Sequence, residues 1–251
     1  SSAASDVYKR QVVDRGIALA RSEPQGPVYL VLPREVLAQE YELACAPTTT
    51  LAPTASGHPA PGDLRCLEEF LIQAERPVLI TSDAGRDINA WNALSQFAQR
   101  HAVPVVQYRP RFASIASSHP MNAGFDPNPY LREADLVMVV DSDVPWIPEH
   151  VQPRKDAKVV QFGADPLFAN YPLRGFRSDI SMAVNTAATL EALTQIPPSP
   201  QIEKRQAWME KLRSPPMAVP TAQLGMTSAW VSHCIGQVSD DDTVLLNEYS
   251  L

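Results

Sequence analysis

The chain has 251 residues, 45% of them hydrophobic and 20% charged, which predicts one or two folded domains and excludes disordered, fibrous and collagen-like proteins. Lysine and arginine number 21 against 28 aspartate and glutamate residues, so the net charge of −7 excludes an electrostatic grip on nucleic acid or on an anionic membrane. The chain has three cysteines and no Cys-x-x-Cys pair, which excludes a disulfide framework and a zinc site and predicts a cytoplasmic protein. Its apolar runs are far shorter than a bilayer span, which excludes a membrane anchor.

The first 45 residues hold one helix and one strand. Residues 1–11 are small and polar and resemble adaptor read-through, so we expect a non-native leader. Residues 12–45 begin with a helical pattern, pass a turn containing proline and glycine, and reach an apolar run at residues 28–32 (VYLVL). A strand that is apolar at every position is typical of a parallel sheet. We expect the rest of that sheet upstream of residue 12 or in another chain.

The middle of the chain has the pattern of a complete domain. Residues 46–62 are rich in proline, alanine and threonine and predict an extended linker. Residues 63–196 alternate helical and β patterns, which predicts an open parallel α/β sheet with helices on both faces. Asp63 and Asp87 are the predicted caps of the first two helices. The predicted strands are residues 77–81, 104–107, 135–140, 157–162 and 180–183, and the later helices are residues 130–134 and 186–193.

The last third begins with another linker. Residues 197–219 combine a proline-rich stretch with a charged helix over residues 201–213. Residues 220–251 hold an amphipathic helix, three consecutive aspartates at 240–242 and a strand at residues 243–247. Consecutive aspartates cannot all converge on one ion, so a solvated loop is expected there. The final strand has no partner in its own segment, like the strand at residues 28–32.

Catalytic motifs are absent from the sequence. It contains no Gly-x-Gly-x-x-Gly, P-loop, Gly-x-Ser-x-Gly or His-Glu-x-x-His, and its 10 glycines are few for its length. Candidate sites come from topology, because ligands of open parallel sheets bind beyond the carboxyl ends of the strands. After the first strand of the middle domain, Gly85 allows a sharp turn and Arg86 could meet a phosphate. Asp83 and Asp87 would repel that anion, and a plain strand-to-helix turn is the favoured alternative.

The segment after the third strand, residues 141–148 (DSDVPWIP), is the most distinctive in the chain. Asp143 is a candidate for binding ribose hydroxyls or a cation, with Trp146 stacked on a ring. The alternative is a rigid, proline-braced loop in which Trp146 is an interface anchor. Asp165, after the fourth strand, is either a ribose acceptor or part of a turn.

Five short segments in a fixed order carry a family resemblance. They are residues 26–33 (GPVYLVLP), 74–80 (AERPVLI), 132–139 (READLVMV), 159–166 (VVQFGADP) and 243–248 (TVLLNE). Together they resemble the thiamine diphosphate-dependent enzymes of the acetolactate synthase-like group, over residues 12–251. The resemblance implies three successive α/β domains. Residues 12–45 would end the pyrimidine-binding domain, residues 63–196 would be the central domain, and residues 220–251 would open the diphosphate-binding domain.

The resemblance also implies a function. The parent would decarboxylate or ligate a 2-keto acid with thiamine diphosphate and Mg²⁺, as a homodimer or homotetramer. The family's catalytic glutamate would lie upstream of residue 12 and its Gly-Asp-Gly to Asn magnesium motif beyond residue 251. No catalytic residue or metal ligand is therefore assigned, and the chain alone is expected to be inactive. Glu248, Tyr249 and Ser250 would lie on the diphosphate side of the cofactor.

A nucleotide on the central domain is a further implication, because some members of the family hold FAD or an ADP group there. Gly85, Arg86, Asp143 and Asp165 are the candidates for it here. Residues 81–85 (TSDAG) replace the glycine-rich turn of the members that bind a nucleotide, which favours an empty central domain. Two other functions stay open: a non-catalytic module that binds FAD, ADP or NAD, and a structural module for assembly.

Overall fold

The computed structural model describes residues 2–38, 51–213, 226–240 and 242–245. Side chains are described for all of these residues except 2–10 and 36. The chain divides into two units, Ser1–Leu212 and Arg213–Leu251. The helices are α1 (Ser2–Arg21), α2 (Arg34–Leu37), α3 (Pro61–Gln73), α4 (Ile88–His101), α5 (Asn128–Leu131), α6 (Thr186–Gln195), α7 (Ile202–Leu212) and α8 (Ser228–Val238). The strands are β1 (Pro77–Thr81), β2 (Val105–Gln107), β3 (Leu136–Val140), β4 (Lys158–Gly163) and β5 (Ile180–Ala183). None of the described helices is both long and apolar enough to cross a membrane.

The five strands form one parallel sheet in the order β2-β1-β3-β4-β5. Leu79 at the centre of β1 is in register with Val105 of β2 on one side and Met138 of β3 on the other. The predicted open parallel sheet is confirmed. The chain moves from β1 to β2 in one direction and then returns past β1 to β3, so the strand order reverses beside β1. Ligands of such sheets bind beyond the carboxyl ends of the strands at that reversal.

Apolar side chains cover both faces of the sheet, since successive residues of a strand point to opposite faces. Leu79 belongs to a core with apolar residues of α3, α4 and α6. Its neighbours Val78 and Ile80 belong to a second core with α5 and the loop that follows β3. All five residues of β1 are buried. This double burial is the reason that the sequence of these strands is continuously apolar.

Helix α7 completes this unit, although the sequence placed it after a linker. Its Trp208 packs in one core and its Met209 in the other. Arg205 is fully buried, although its two neighbours in sequence are exposed. Although the helix is rich in charged residues, one of its sides is therefore packed against the sheet domain.

The prediction of a strand at residues 28–32 is wrong for this structure. Residues 25–33 are extended without strand pairing, and Tyr29 and Val31 are 90% and 73% exposed. No described strand lies beside them, so their backbone groups have no ladder to join. Helix α1 packs on this segment instead, since a Cβ on Gly16 would lie 3.1 Å from Cδ1 of Leu30.

Of the two helix N-caps predicted from the sequence, one is correct and the other is misplaced. Asp87 caps α4 as expected, and its side chain accepts a hydrogen bond from the amide of Asn89. Helix α3 begins earlier than predicted, with Ala60 at the N-cap and Pro61 in the first turn, so Asp63 lies inside the helix. Proline suits that position because the first helical amides have no intrahelical acceptor.

The second unit is described as helix α8 and the short segment after it. Thr227 caps α8, because its hydroxyl accepts a hydrogen bond from the amide of Trp230. The strand predicted for residues 243–247 is not formed over residues 243–245, where Val244 and Leu245 are exposed. Residues 246 and 247 lie outside the described part of the chain.

Candidate functional site

A cleft of about 190 Å³ lies beyond the carboxyl ends of β1, β3 and β4, beside the start of α6. This is the position that the topology of the sheet predicts for a ligand. Its volume is below the roughly 300 to 1,000 Å³ of pockets that enclose a drug-sized molecule. The cleft is therefore the candidate site of this unit, and it is a small one.

Asp141 lies in this cleft, directly after β3. Its φ is +44°, and its Oδ2 accepts a hydrogen bond from the hydroxyl of Thr186 at 2.6 Å. A Cβ on Gly163, whose φ is +149°, would lie 2.0 Å from Asp141 Oδ1, so glycine is needed there. Burial raises the pKa of Asp141 to about 6, while hydrogen bonds from Thr186 and Ala164 act in the opposite direction. At neutral pH the carboxylate is mostly ionised and adds negative charge to the cleft.

Arg86 is the only basic residue among the described residues that line the cleft. It ends the short 3₁₀ turn Ala84–Arg86 after β1. Its Nη2 lies 3.3 Å from Oε2 of Glu23, which also lines the cleft. The sequence analysis missed Glu23, because no local pattern marks a contact between residues 63 positions apart.

Gly85 is placed next to Arg86 but is used for packing. Its amide donates to Ser114 Oγ at 3.0 Å. A Cβ at this position would lie 1.8 Å from the carbonyl oxygen of Ala113. The glycine lets the turn after β1 approach a neighbouring loop, and its N–H is already donated to a protein acceptor.

Three further carboxylates line the cleft, those of Asp83, Asp87 and Asp165. Asp83 accepts a hydrogen bond from Nε of Arg111 at 2.8 Å, and Asp87 caps α4. Asp165 accepts from the amide of Ala169 at 2.9 Å. Each carboxylate thus has a protein donor of its own, and Asp165 has the turn-forming bond that the sequence left open as an alternative.

Asp143 does not line the cleft. It accepts hydrogen bonds from Nη1 of Arg111 at 3.0 Å and from the hydroxyl of Tyr171 at 3.3 Å. These donors hold the pKa of Asp143 below its ordinary value, although burial acts in the opposite direction. Arg111 bridges Asp83 and Asp143, and so ties together the loops that follow β1, β2 and β3. The sequence did not identify Arg111, because nothing in its local pattern separates it from other surface arginines.

Trp146 is a core residue. It is buried and meets the ring of Phe176 edge-on, with ring centroids 5.1 Å apart. The ring faces protein side chains, which leaves no stacking surface for a ligand. Trp146 therefore anchors the loop after β3 in the core of its own domain, which is neither the ring-stacking role nor the interface role considered from the sequence.

The cofactor-side residues of the last segment cannot be placed. Glu248, Tyr249 and Ser250 lie outside the described residues. Within the described ranges, no group of three or more His, Cys, Asp or Glu residues is arranged to hold a metal ion. Asp240 accepts hydrogen bonds from the amide of Asp242 and the hydroxyl of Thr243, an arrangement typical of a turn.

Comparison with protein families gives one match, to the family "Thiamine pyrophosphate enzyme, central domain", over residues 64–193. These residues contain the whole sheet, α4 and α5, and most of α3 and α6. The chain therefore belongs to the thiamine pyrophosphate-dependent enzymes and contains their central domain.

Curated relatives agree with this family. Oxalyl-CoA decarboxylase of Escherichia coli K12 is 29% identical over 167 residues, covering 62% of this chain and 30% of that protein. Glyoxylate carboligase of Escherichia coli O157:H7 is 32% identical over 117 residues, covering 45% of this chain and 19% of that protein. The chain thus matches less than a third of the length of either relative.

Solved structures share the fold. A protein of Mycobacterium smegmatis described as a thiamin diphosphate-dependent enzyme superposes with a TM-score of 0.62 at 24% identity, covering 76% of this chain and 37% of that one. Benzoylformate decarboxylase of Polynucleobacter necessarius gives a TM-score of 0.60 at 20% identity, covering 75% and 36%. At these identities the likeness concerns the fold alone.

The cleft does not fit the FAD or ADP group that some members of the family hold. Five carboxylates, those of Glu23, Asp83, Asp87, Asp141 and Asp165, line the cleft with one guanidinium, that of Arg86, and one of the five, Asp83, is also paired with Arg111. A diphosphate would enter a net negative field, because each of these charges lies on the same small cleft. The amide of Gly85 is also engaged with Ser114.

Proposed function

We propose that this chain forms the central-domain part of an enzyme that decarboxylates or ligates 2-keto acids with thiamine diphosphate and Mg²⁺, in the manner of the acetolactate synthase-like group. The observation that carries the proposal is the family match over residues 64–193, which coincides with the complete five-stranded sheet. The names of two curated relatives, a decarboxylase and a carboligase, support the reaction class.

Thiamine diphosphate supplies the carbon nucleophile of such reactions, and the protein supplies binding and orientation. We place the cofactor outside the central sheet. The described residues contain no arranged metal ligands, and the cleft at the sheet is surrounded by carboxylates. Glu248, Tyr249 and Ser250 are our candidates for the diphosphate side, and we assign no catalytic residue and no magnesium ligand.

The contribution of the central domain is structural in this proposal. Its sheet is packed on both faces. We propose that it is not a nucleotide site, and that the parent acts as a cytoplasmic homodimer or homotetramer on a small 2-keto acid. The second candidate function is a module that binds FAD, ADP or NAD at the cleft. The position of the cleft at the strand reversal supports that candidate, and its charge opposes it.

The test uses the full-length product of the gene that encodes this chain. We expect it to consume at least one of oxalyl-CoA, glyoxylate and benzoylformate, the compounds in the names of the relatives, or another 2-keto acid in a wider panel. Consumption of the keto acid, measured as the release of carbon dioxide, should require added thiamine diphosphate and Mg²⁺. The control is the same protein after dialysis against a chelator. A gene product that neither binds thiamine diphosphate nor consumes any keto acid would contradict the proposal.

A further inference from the structure

Two stretches of chain, one before the first linker and one inside it, meet at the cleft. We call residues 22–25 and 54–57 the connector segments. The amide of Glu23 donates to the carbonyl of Thr54 at 2.9 Å, and the amide of Thr54 donates to Ser22 Oγ at 3.0 Å. The serine hydroxyl in turn donates to the carbonyl of Ala18 in α1 at 2.7 Å. The two segments are therefore joined to each other and to the end of α1.

The connector segments are also held on the sheet domain. Glu23 and Ser56 line the cleft. The amide of Asn185, the N-cap of α6, donates to the carbonyl of Gly57 at 2.8 Å. The carboxylate of Glu23 lies 3.3 Å from the guanidinium of Arg86. One backbone bond and one ion pair thus fasten the segments to two residues that line the same cleft.

The charges explain why the chain's own carboxylate is found there. Arg86 is the sole basic residue among the described cleft residues, and it shares the lining of the cleft with Asp83, Asp87, Asp141 and Asp165. A free anion would have to overcome that repulsion from dilute solution. Glu23 is tethered through α1 and Thr54, so its local concentration at Arg86 is high and little entropy is lost on pairing.

We propose that the cleft is a docking site for the connector segments, with Glu23 as the anion that Arg86 binds. The docking fixes α1 and the extended segment after it on the central domain. It also means that an external anion would compete with Glu23 for the guanidinium of Arg86. This role is independent of the proposed reaction, because the isolated chain contains every group involved.

Hydrogen exchange of the 251-residue chain tests the docking. The reporters are the amides of Thr54 and Asn185, which are distant in sequence from the changed residues. We expect Glu23→Gln and Arg86→Gln each to raise exchange at both amides about two- to five-fold, the effect typical of losing an exposed ion pair. The double variant should exchange no faster than either single one, because the two residues act through one contact. Arg86→Lys should stay near the parent chain.

Glu75→Gln is the matched control, since it breaks the exposed pair of Glu75 with Lys204 away from the cleft. It should leave exchange at Thr54 and Asn185 unchanged. Unchanged exchange in the Glu23 and Arg86 variants, or additive effects in the double variant, would overturn the docking. So would saturable protection of the cleft amides by ADP in the parent chain, because that would make the cleft a ligand site.

Discussion

Replacing Arg205 by alanine should destabilise the first unit by about 3 to 5 kcal/mol. The guanidinium is fully buried in α7 and donates to the carbonyls of Leu71, Ala74 and His101, which end α3 and α4. The bonds to Ala74 and His101 measure 2.8 and 2.7 Å. Alanine would leave these carbonyls buried without a donor and a cavity in place of the side chain.

Urea unfolding of the chain measures this loss. Arg205→Lys should recover only part of the stability, because an ammonium cannot reach three carbonyls in the geometry of the guanidinium. Lys204→Ala is the matched control on the adjacent, exposed position, and it should leave the unfolding midpoint nearly unchanged. Equal midpoints for Arg205→Ala and the parent would show that α7 is not part of the sheet domain.

Replacing Gly85 by alanine should also be severe, at about 3 kcal/mol or more. The added Cβ would lie 1.8 Å from the oxygen and 2.6 Å from the carbon of the Ala113 carbonyl, and 2.9 Å from Cα of Ser114. All three are backbone atoms, so no side-chain rotation relieves the overlap. The turn after β1 or the loop at residues 113–114 would have to move.

Thermal unfolding compares this variant with Gly175→Ala. A Cβ on Gly175 meets nothing within 4 Å, so that control should melt within a few degrees of the parent, whereas Gly85→Ala should melt far below it. If both variants melt together, Gly85 is not a packing residue, and its amide would again be a candidate for binding an anion.

The sheet could be predicted from sequence because its signal is local. β3 is a continuous apolar run, β1 is apolar up to Thr81, and β4 is apolar except at Lys158 and Gln161; this pattern arises from burial on both faces. The segment at residues 28–32 has the same pattern without a neighbouring strand, so it remains exposed and unpaired. The pattern therefore reports an environment that suits a strand, and pairing depends on the rest of the chain.

The position of the cleft could be predicted from the sequence, whereas the residues that line it could be predicted only in part. The topological rule placed it after the strands, where Arg86 and Asp165 do lie. It did not exclude Asp143, which follows the same strand as Asp141 but binds Arg111. Glu23 and Arg205 were missed for a common reason: each acts through contacts to residues at least 60 positions away. Their roles depend on tertiary structure, which hydrophobic periodicity does not encode.

The central claim is that the sheet domain belongs to a thiamine diphosphate enzyme without itself holding the cofactor. Calorimetric titration of the 251-residue chain with thiamine diphosphate in the presence of Mg²⁺ tests it most directly. We predict no saturable heat from this chain, and saturable binding by the full-length product of the gene under the same conditions. Binding by the 251-residue chain with a dissociation constant of order micromolar would contradict the claim.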